Sequence, residues 1–145
     1  MNHSSSETSQ PFSTPESVVR EMYKAVSGPE RGIDMKLQQL VFAPDARLIR
    51  MGLDEQGQPW RQIMNIEEYV ENTREFLEST DFYEYETKAQ TVLCPPFAHI
   101  LSEYEAKHDP AAGELILSGV NSIQCLYDGQ RWWVYQLTWN HQALD

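Results

Sequence analysis

A chain of 145 residues with 41% hydrophobic, 11% aromatic and 23% charged residues has the make-up of one folded domain and excludes a disordered or fibrous class. Its formal net charge of -11 argues against nucleic acid and anionic membrane surfaces, because both are held by clustered Lys and Arg. No apolar run reaches the roughly 20 residues of a bilayer span, and Met1 to Ser13 lacks the basic-then-apolar order of a secretory leader, so a cytoplasmic location is expected.

Met1 to Ser13, Ser-rich with a lone Phe12, reads as a disordered lead to a single domain over residues 14–145. Thr14 can cap the first helix, Pro15 suits its first position, and Glu16 opposes the helix dipole. Val19, Met22, Tyr23 and Val26 share one face of it until Gly28-Pro29 ends the helix. A short second helix sets Ile33, Leu37, Leu40 and Val41 on its apolar side. Phe42-Ala43-Pro44-Asp45 breaks that helix and leads into a short strand, Ala46 to Met51, then a polar loop from Gly52 to Pro59. The third helix opens at Asn65, where Glu68 completes a capping box, and it turns Ile66, Tyr69, Val70, Thr73 and Leu77 to one side.

From Asp81 the period changes to alternation. Tyr83, Tyr85, Thr87, Ala89 and Thr91 face one way in a first long strand, and Glu84, Glu86, Lys88 and Gln90 the other. After Cys94-Pro95-Pro96, a second strand sets Ala98, Ile100, Ser102, Tyr104 and Ala106 against Glu103, Glu105 and Lys107. A third, from about Glu114 to Tyr127, presents Leu115, Leu117, Asn121, Ile123, Cys125 and Tyr127 together. Asp128-Gly129 signals a hairpin, and the last strand carries Trp133, Tyr135, Leu137 and Trp139 on one side.

Helices followed by consecutive strands cannot form parallel βαβ units. The expected architecture is α+β: three N-terminal helices packed in the concavity of a strongly curved, mainly antiparallel sheet, with the strand at Ala46 to Met51 added at an edge. Such a hollow encloses a pocket by geometry alone.

Three stretches carry a family resemblance: Pro15 to Tyr23, Leu40-Val41-Phe42-Ala43-Pro44-Asp45-Ala46-Arg47-Leu48, and Gly119 to Gln124 with Tyr127 to Val134. Their order resembles the nuclear transport factor 2-like superfamily, whose cystatin-like cone is shared by ketosteroid isomerases, scytalone dehydratase and polyketide-cyclase-like proteins. The resemblance covers nearly all of Thr14 to His141 and implies the fold rather than an activity. Tyr23 is similar in place to the isomerases' oxyanion-donating Tyr. The position of their catalytic base reads Arg50, and that of their second acid reads Ile123. Arg cannot take a proton at neutral pH, so that isomerase acid/base pair is absent.

The pocket candidates are Tyr23, Arg50, Ser102, Tyr104, Asn121, Trp139 and His141. Arg50 suits a carboxylate or enolate oxygen, or else a salt bridge to a Glu at the sheet edge. Tyr23 and Tyr104 are hydrogen-bond donors to a ligand or core rings with satisfied hydroxyls. Ser102 and Asn121, polar on apolar faces, line a wet pocket or pair with neighbours. Trp139 and His141 share an inward parity near the pocket mouth, and Trp60 is a lid or a satellite core residue. His99 and His108 lack ligand spacing, so no metal and no cofactor is expected. Cys94 and Cys125 read as free thiols, and the stripe of Glu84, Glu86, Glu103 and Glu105 as a solvated outer face or part of a dimer surface. The expected occupant is a small, largely apolar molecule, with lyase- or isomerase-type chemistry open to it. The alternative is a non-catalytic homodimer, paired through the outer sheet face, with side chains filling the pocket.

Overall fold

Thr14 begins the first helix as its place before Pro15 predicts. Thr14 Oγ1 accepts from Ser17 N at 3.0 Å, and Ser17 Oγ accepts from Thr14 N at 3.1 Å, which satisfies amides at the start of α1 (Pro15–Val26). The computed structural model describes residues 10–143, the last three by their backbone alone. Residues 1–9 of the expected disordered lead lie outside the described residues. Its end is docked instead: the Phe12 carbonyl accepts from Trp132 N at 2.9 Å, and the Phe12 ring packs on the core beneath the Arg131 guanidinium, 4.0 Å away. Arg131 also reaches over Trp133 at 3.6 Å, so one cation is held between two rings.

Asp34 caps α2 (Met35–Val41) by accepting from Leu37 N at 3.1 Å. This helix buries Gln38 and Val41 and leaves Leu40 41% exposed, which corrects the apolar side expected from sequence. Gln38 and Val41 are three residues apart and so lie on one face. Asn65 caps α3 (Ile66–Glu78) through the capping box its sequence announces, with Glu68 N donating to Asn65 Oδ1 at 2.8 Å.

The sheet holds six strands: β1 (Phe42–Leu53), β2 (Pro59–Met64), β3 (Tyr83–Cys94), β4 (Phe97–Lys107), β5 (Leu115–Tyr127) and β6 (Trp132–Ala143), in the order β2-β1-β6-β5-β4-β3. β1 and β6 run parallel, and every other neighbouring pair is antiparallel. The fold is therefore α+β with a mainly antiparallel, unclosed sheet, as expected. Two details differ. β2, for which no strand is expected from sequence, takes the edge, so β1 lies one place inside it, and β1 is longer than Ala46 to Met51. Trp60 is a β2 residue, 44% exposed, rather than a lid. It stands opposite Gly52, where a Cβ would lie 2.7 Å from the indole, so glycine admits the ring.

Bulges bend this sheet and change which side chains face its hollow. On β3, Glu86 pairs with Tyr104 but Lys88 pairs with Glu103, leaving Thr87 as the extra residue. On β6, Val134 pairs with Cys125 and Gln136 with Gln124, leaving Tyr135 extra. Hence Trp132 and Val134 are buried before the bulge, and Leu137 and Trp139 after it, while Trp133 and Tyr135 leave the face expected for them. The core, including Val18, Leu48, Ile100, Ile123 and Val134, fills the space between the helices and the middle of the sheet. Among the described residues, no helix is long and apolar enough to cross a membrane.

Candidate functional site

Beyond that core the hollow is not filled. A cavity of about 360 Å³ lies among α1, α2, α3 and the inner sheet face. Met22, Phe42, Leu77, Phe82, Leu137 and Trp139 supply much of its apolar wall. Among its lining residues Phe76 is 45% exposed, while Gln38 is fully buried. A volume in this range is what small-molecule sites usually offer.

Five sequence candidates line the cavity: Tyr23, Arg50, Tyr104, Asn121 and Trp139. Ser102 is not among the lining residues but stands behind Tyr23, and the side chain of His141 lies outside the described residues. Several of these groups are committed to one another. Asn121 Nδ2 donates to the Tyr23 hydroxyl at 2.9 Å, Tyr23 Oη lies 2.6 Å from Ser102 Oγ, and Ser102 donates to Glu86 Oε2 at 2.6 Å. A serine hydroxyl has one proton, so Tyr23 must be the donor to Ser102. Tyr104 donates to the Asn140 carbonyl at 3.2 Å. Burial holds both phenols well above the usual tyrosine range, so both keep their protons.

Arg50 enters the cavity wall from β1. Its Nη1 donates to Asn72 Oδ1 at 2.8 Å and to Gln62 Oε1 at 3.3 Å, and its guanidinium lies 5.5 Å from the Trp139 ring centroid. Arg50 Nε is buried with no partner, and among the described residues Arg50 makes no ion pair. A salt bridge at the sheet edge is thus replaced by neutral amides and a ring face.

Three lining residues were not singled out from sequence. Glu84 was assigned to a solvated outer stripe, but its partner on β4 is Ala106, which is buried on the inner face. The stripe splits: Glu84 and Glu86 stand on the hollow side before the Thr87 bulge, whereas Glu103 and Glu105 stay outside. Burial lifts the Glu84 carboxyl to about 8, because the charged form loses its water. Tyr69, from α3, lines the cavity and meets Trp139 edge-on at 5.7 Å; burial raises its phenol as well. Among the described residues, nothing is hydrogen-bonded to the side chains of Glu84 or Tyr69. Gln38 is the third, with neither end of its amide partnered among the described residues.

Strand pairing was the missing signal for Glu84, since alternation alone cannot say which face turns inward. Tyr69 was visible in sequence only as one of the apolar side of α3. Gln38 carried no signal beyond its spacing from Val41.

No family model matches the sequence, and no curated protein sequence is similar to it. Solved structures are similar. One is a protein of unknown function with a cystatin-like fold from Nostoc punctiforme, 12% identical, with a TM-score of 0.66, covering 90% of this chain and 95% of its own. Another is a nuclear transport factor 2-like protein from Cytophaga hutchinsonii, 10% identical, TM-score 0.62, covering 99% and 100% of the two chains. The fold is the cystatin-like cone of the nuclear transport factor 2-like proteins. A provisionally assigned ketosteroid isomerase from Shewanella frigidimarina has it too, at 15% identity and TM-score 0.55 over 84% of this chain and 90% of its own.

At such identities the likeness carries the fold, and activity has to be argued from the site. Within this cone, Arg50 faces the cavity, whereas Ile123 is wholly buried in the core and does not line it. The carboxyl that faces the cavity arrives from a different strand, as Glu84. Cys125 is buried and its thiol is pushed up to about 12, so it is inert as a nucleophile. Among the described residues, no three His, Cys, Asp or Glu side chains are grouped to hold a metal ion.

Proposed function

We propose that the cone binds a small, largely apolar molecule in the cavity under its helices, and that Glu84 exchanges a proton with it while Tyr69 donates a hydrogen bond, as an isomerase or lyase requires. One observation carries this reading: an unfilled hollow of about 360 Å³ whose apolar wall is interrupted by polar groups with no partner among the described residues. A carboxyl that titrates near 8 is mostly protonated at neutral pH and can donate. Once ionised in the same dry surroundings, it is a stronger base than an exposed glutamate, suited to a proton beside a carbonyl. Tyr69 supplies a hydroxyl with no partner among the described residues, and Arg50 brings permanent positive charge for an oxygen of the ligand.

The test is native mass spectrometry of gently purified protein, followed by melting temperatures across a panel of small apolar ketones, enols and amides. Expected are a co-purified mass or a rise in melting temperature that Glu84→Gln or Tyr69→Phe alters. Unliganded protein whose melting temperature ignores the whole panel would count against the reading.

A second reading is the non-catalytic homodimer. Val92, Phe97, Leu101 and Val120 favour its pairing surface, since all four are exposed and point outward from β3, β4 and β5. The same spectra give copy number. A dimer that Leu101→Lys splits, with no small molecule bound, would favour this second reading.

A further inference from the structure

Gln38 lines the cavity with no solvent exposure, and among the described residues both Nε2 and Oε1 are without a hydrogen-bond partner. A buried amide in that condition is rare in folded proteins, because each unpaired end keeps its desolvation cost. Three of the polar groups around the hollow are already committed elsewhere. Tyr23 gives its proton to Ser102, Tyr104 gives its proton to the Asn140 carbonyl, and Asn72 Oδ1 is taken by Arg50. Nor can the side chain swing freely to water, since it projects from a capped helix on the same face as buried Val41.

We propose that Gln38 selects the ligand: the inner end of the bound molecule is an uncharged carboxamide or lactam that pairs with both ends of the Gln38 amide. This inference rests on the cavity being a ligand site. A carboxamide or lactam places a donor and an acceptor side by side on one planar group, matching Nε2–H and Oε1 in turn. A ketone answers Nε2 alone and leaves Oε1 buried and unpaired. A carboxylate sets its lone pairs against Oε1 and also carries a charge into a space where Glu84 is already held neutral by burial. The amide therefore rejects both by leaving a polar group unpaired, which is how a site built for hydrogen bonding discriminates.

Three probes of similar shape test this: benzamide, acetophenone and benzoate, titrated into the wild-type chain and into Gln38→Leu. Ligand-observed NMR gives relative affinities, and calorimetry gives melting temperatures. In the wild type, benzamide should bind about tenfold more tightly than acetophenone, whereas benzoate binding, which runs through Arg50, should gain nothing from Gln38. Gln38→Leu should erase that order while still binding acetophenone. It should also raise the melting temperature of the ligand-free protein, because two unpaired polar atoms are removed. Should Gln38→Leu not fold, Gln38→Met serves the same comparison, and the wild-type order stands on its own. Equal binding of benzamide and acetophenone by the wild type overturns the role of Gln38 but leaves the cavity reading intact. Failure of every probe to bind the wild type overturns the cavity reading itself, and this inference with it. A fall in melting temperature in both Gln38→Leu and Gln38→Met would show the amide already satisfied, and would also overturn the inference.

Discussion

Two polar clusters share the hollow of this cone, and they differ in their hydrogen bonds rather than their residue types. Around Tyr23, donors and acceptors answer one another: Asn121 gives to Tyr23, Tyr23 to Ser102, and Ser102 to Glu86. Around Gln38, which is buried, and Glu84 and Tyr69, which are half-buried, no such bonds are made among the described residues. A closed network fixes a core, and an open one keeps bonding capacity for something else. Tyrosines occur in both, so residue type alone does not identify a site; the bonds each group has already made do.

Breaking the open cluster should have the largest effect, and one that depends on pH. The Glu84 carboxyl titrates at 4.5 when unperturbed and at about 8 in the fold. Because the folded value is the raised one, its contribution to stability is fully present below 4.5, is lost as pH climbs to about 8, and is constant above that. Glu84→Gln cannot titrate, so its melting temperature should match the wild type near pH 4.5 and exceed it by several degrees above pH 8. A difference that does not change with pH would mean that Glu84 stands in water.

Tyr23→Phe, in the closed cluster, should come next. It strands the Asn121 amide in the core and deprives Ser102 of its donor, at a cost of about 1–3 kcal/mol by denaturant unfolding. Tyr69→Phe is the control on the open side and should have the smallest effect. It keeps the edge-on contact with Trp139 and breaks no bond among the described residues, so stability should shift by less than about 0.5 kcal/mol while ligand protection falls. Equal losses in Tyr23→Phe and Tyr69→Phe would erase the distinction between the clusters.

Much of the frame could be read from sequence because it depends on local chemistry. Thr14 and Asn65 cap their helices through bonds their own neighbours supply, and β4 alternates without interruption from Ala98 to Ala106. The site was only partly legible, because its faces are set by bulges. One extra residue at Thr87 and one at Tyr135 each exchange inside for outside along a strand, and period-2 counting assumes neither exists. Glu84 was misplaced for that reason, as were Trp133 and Tyr135. β2 was missed because Pro59 to Met64 lies at an edge with every residue but Met64 exposed, so little apolar alternation was required of it. Gln38 escaped notice because a polar residue near the apolar face of a short helix looks like a boundary position until its burial is known.

The central claim is that the hollow, rather than the outer sheet, receives the small molecule. Titrating benzamide and acetophenone separately into isotope-labelled protein tests it most directly, because the two probes answer Gln38 differently and the claim needs only that one of them enter. Resonances of the Trp139 indole, the Met22 methyl and the Leu137 methyls should move together with one saturable affinity. Shifts confined to Val92, Leu101 and Val120 on the outer face, or no saturable shift at all, would contradict the account.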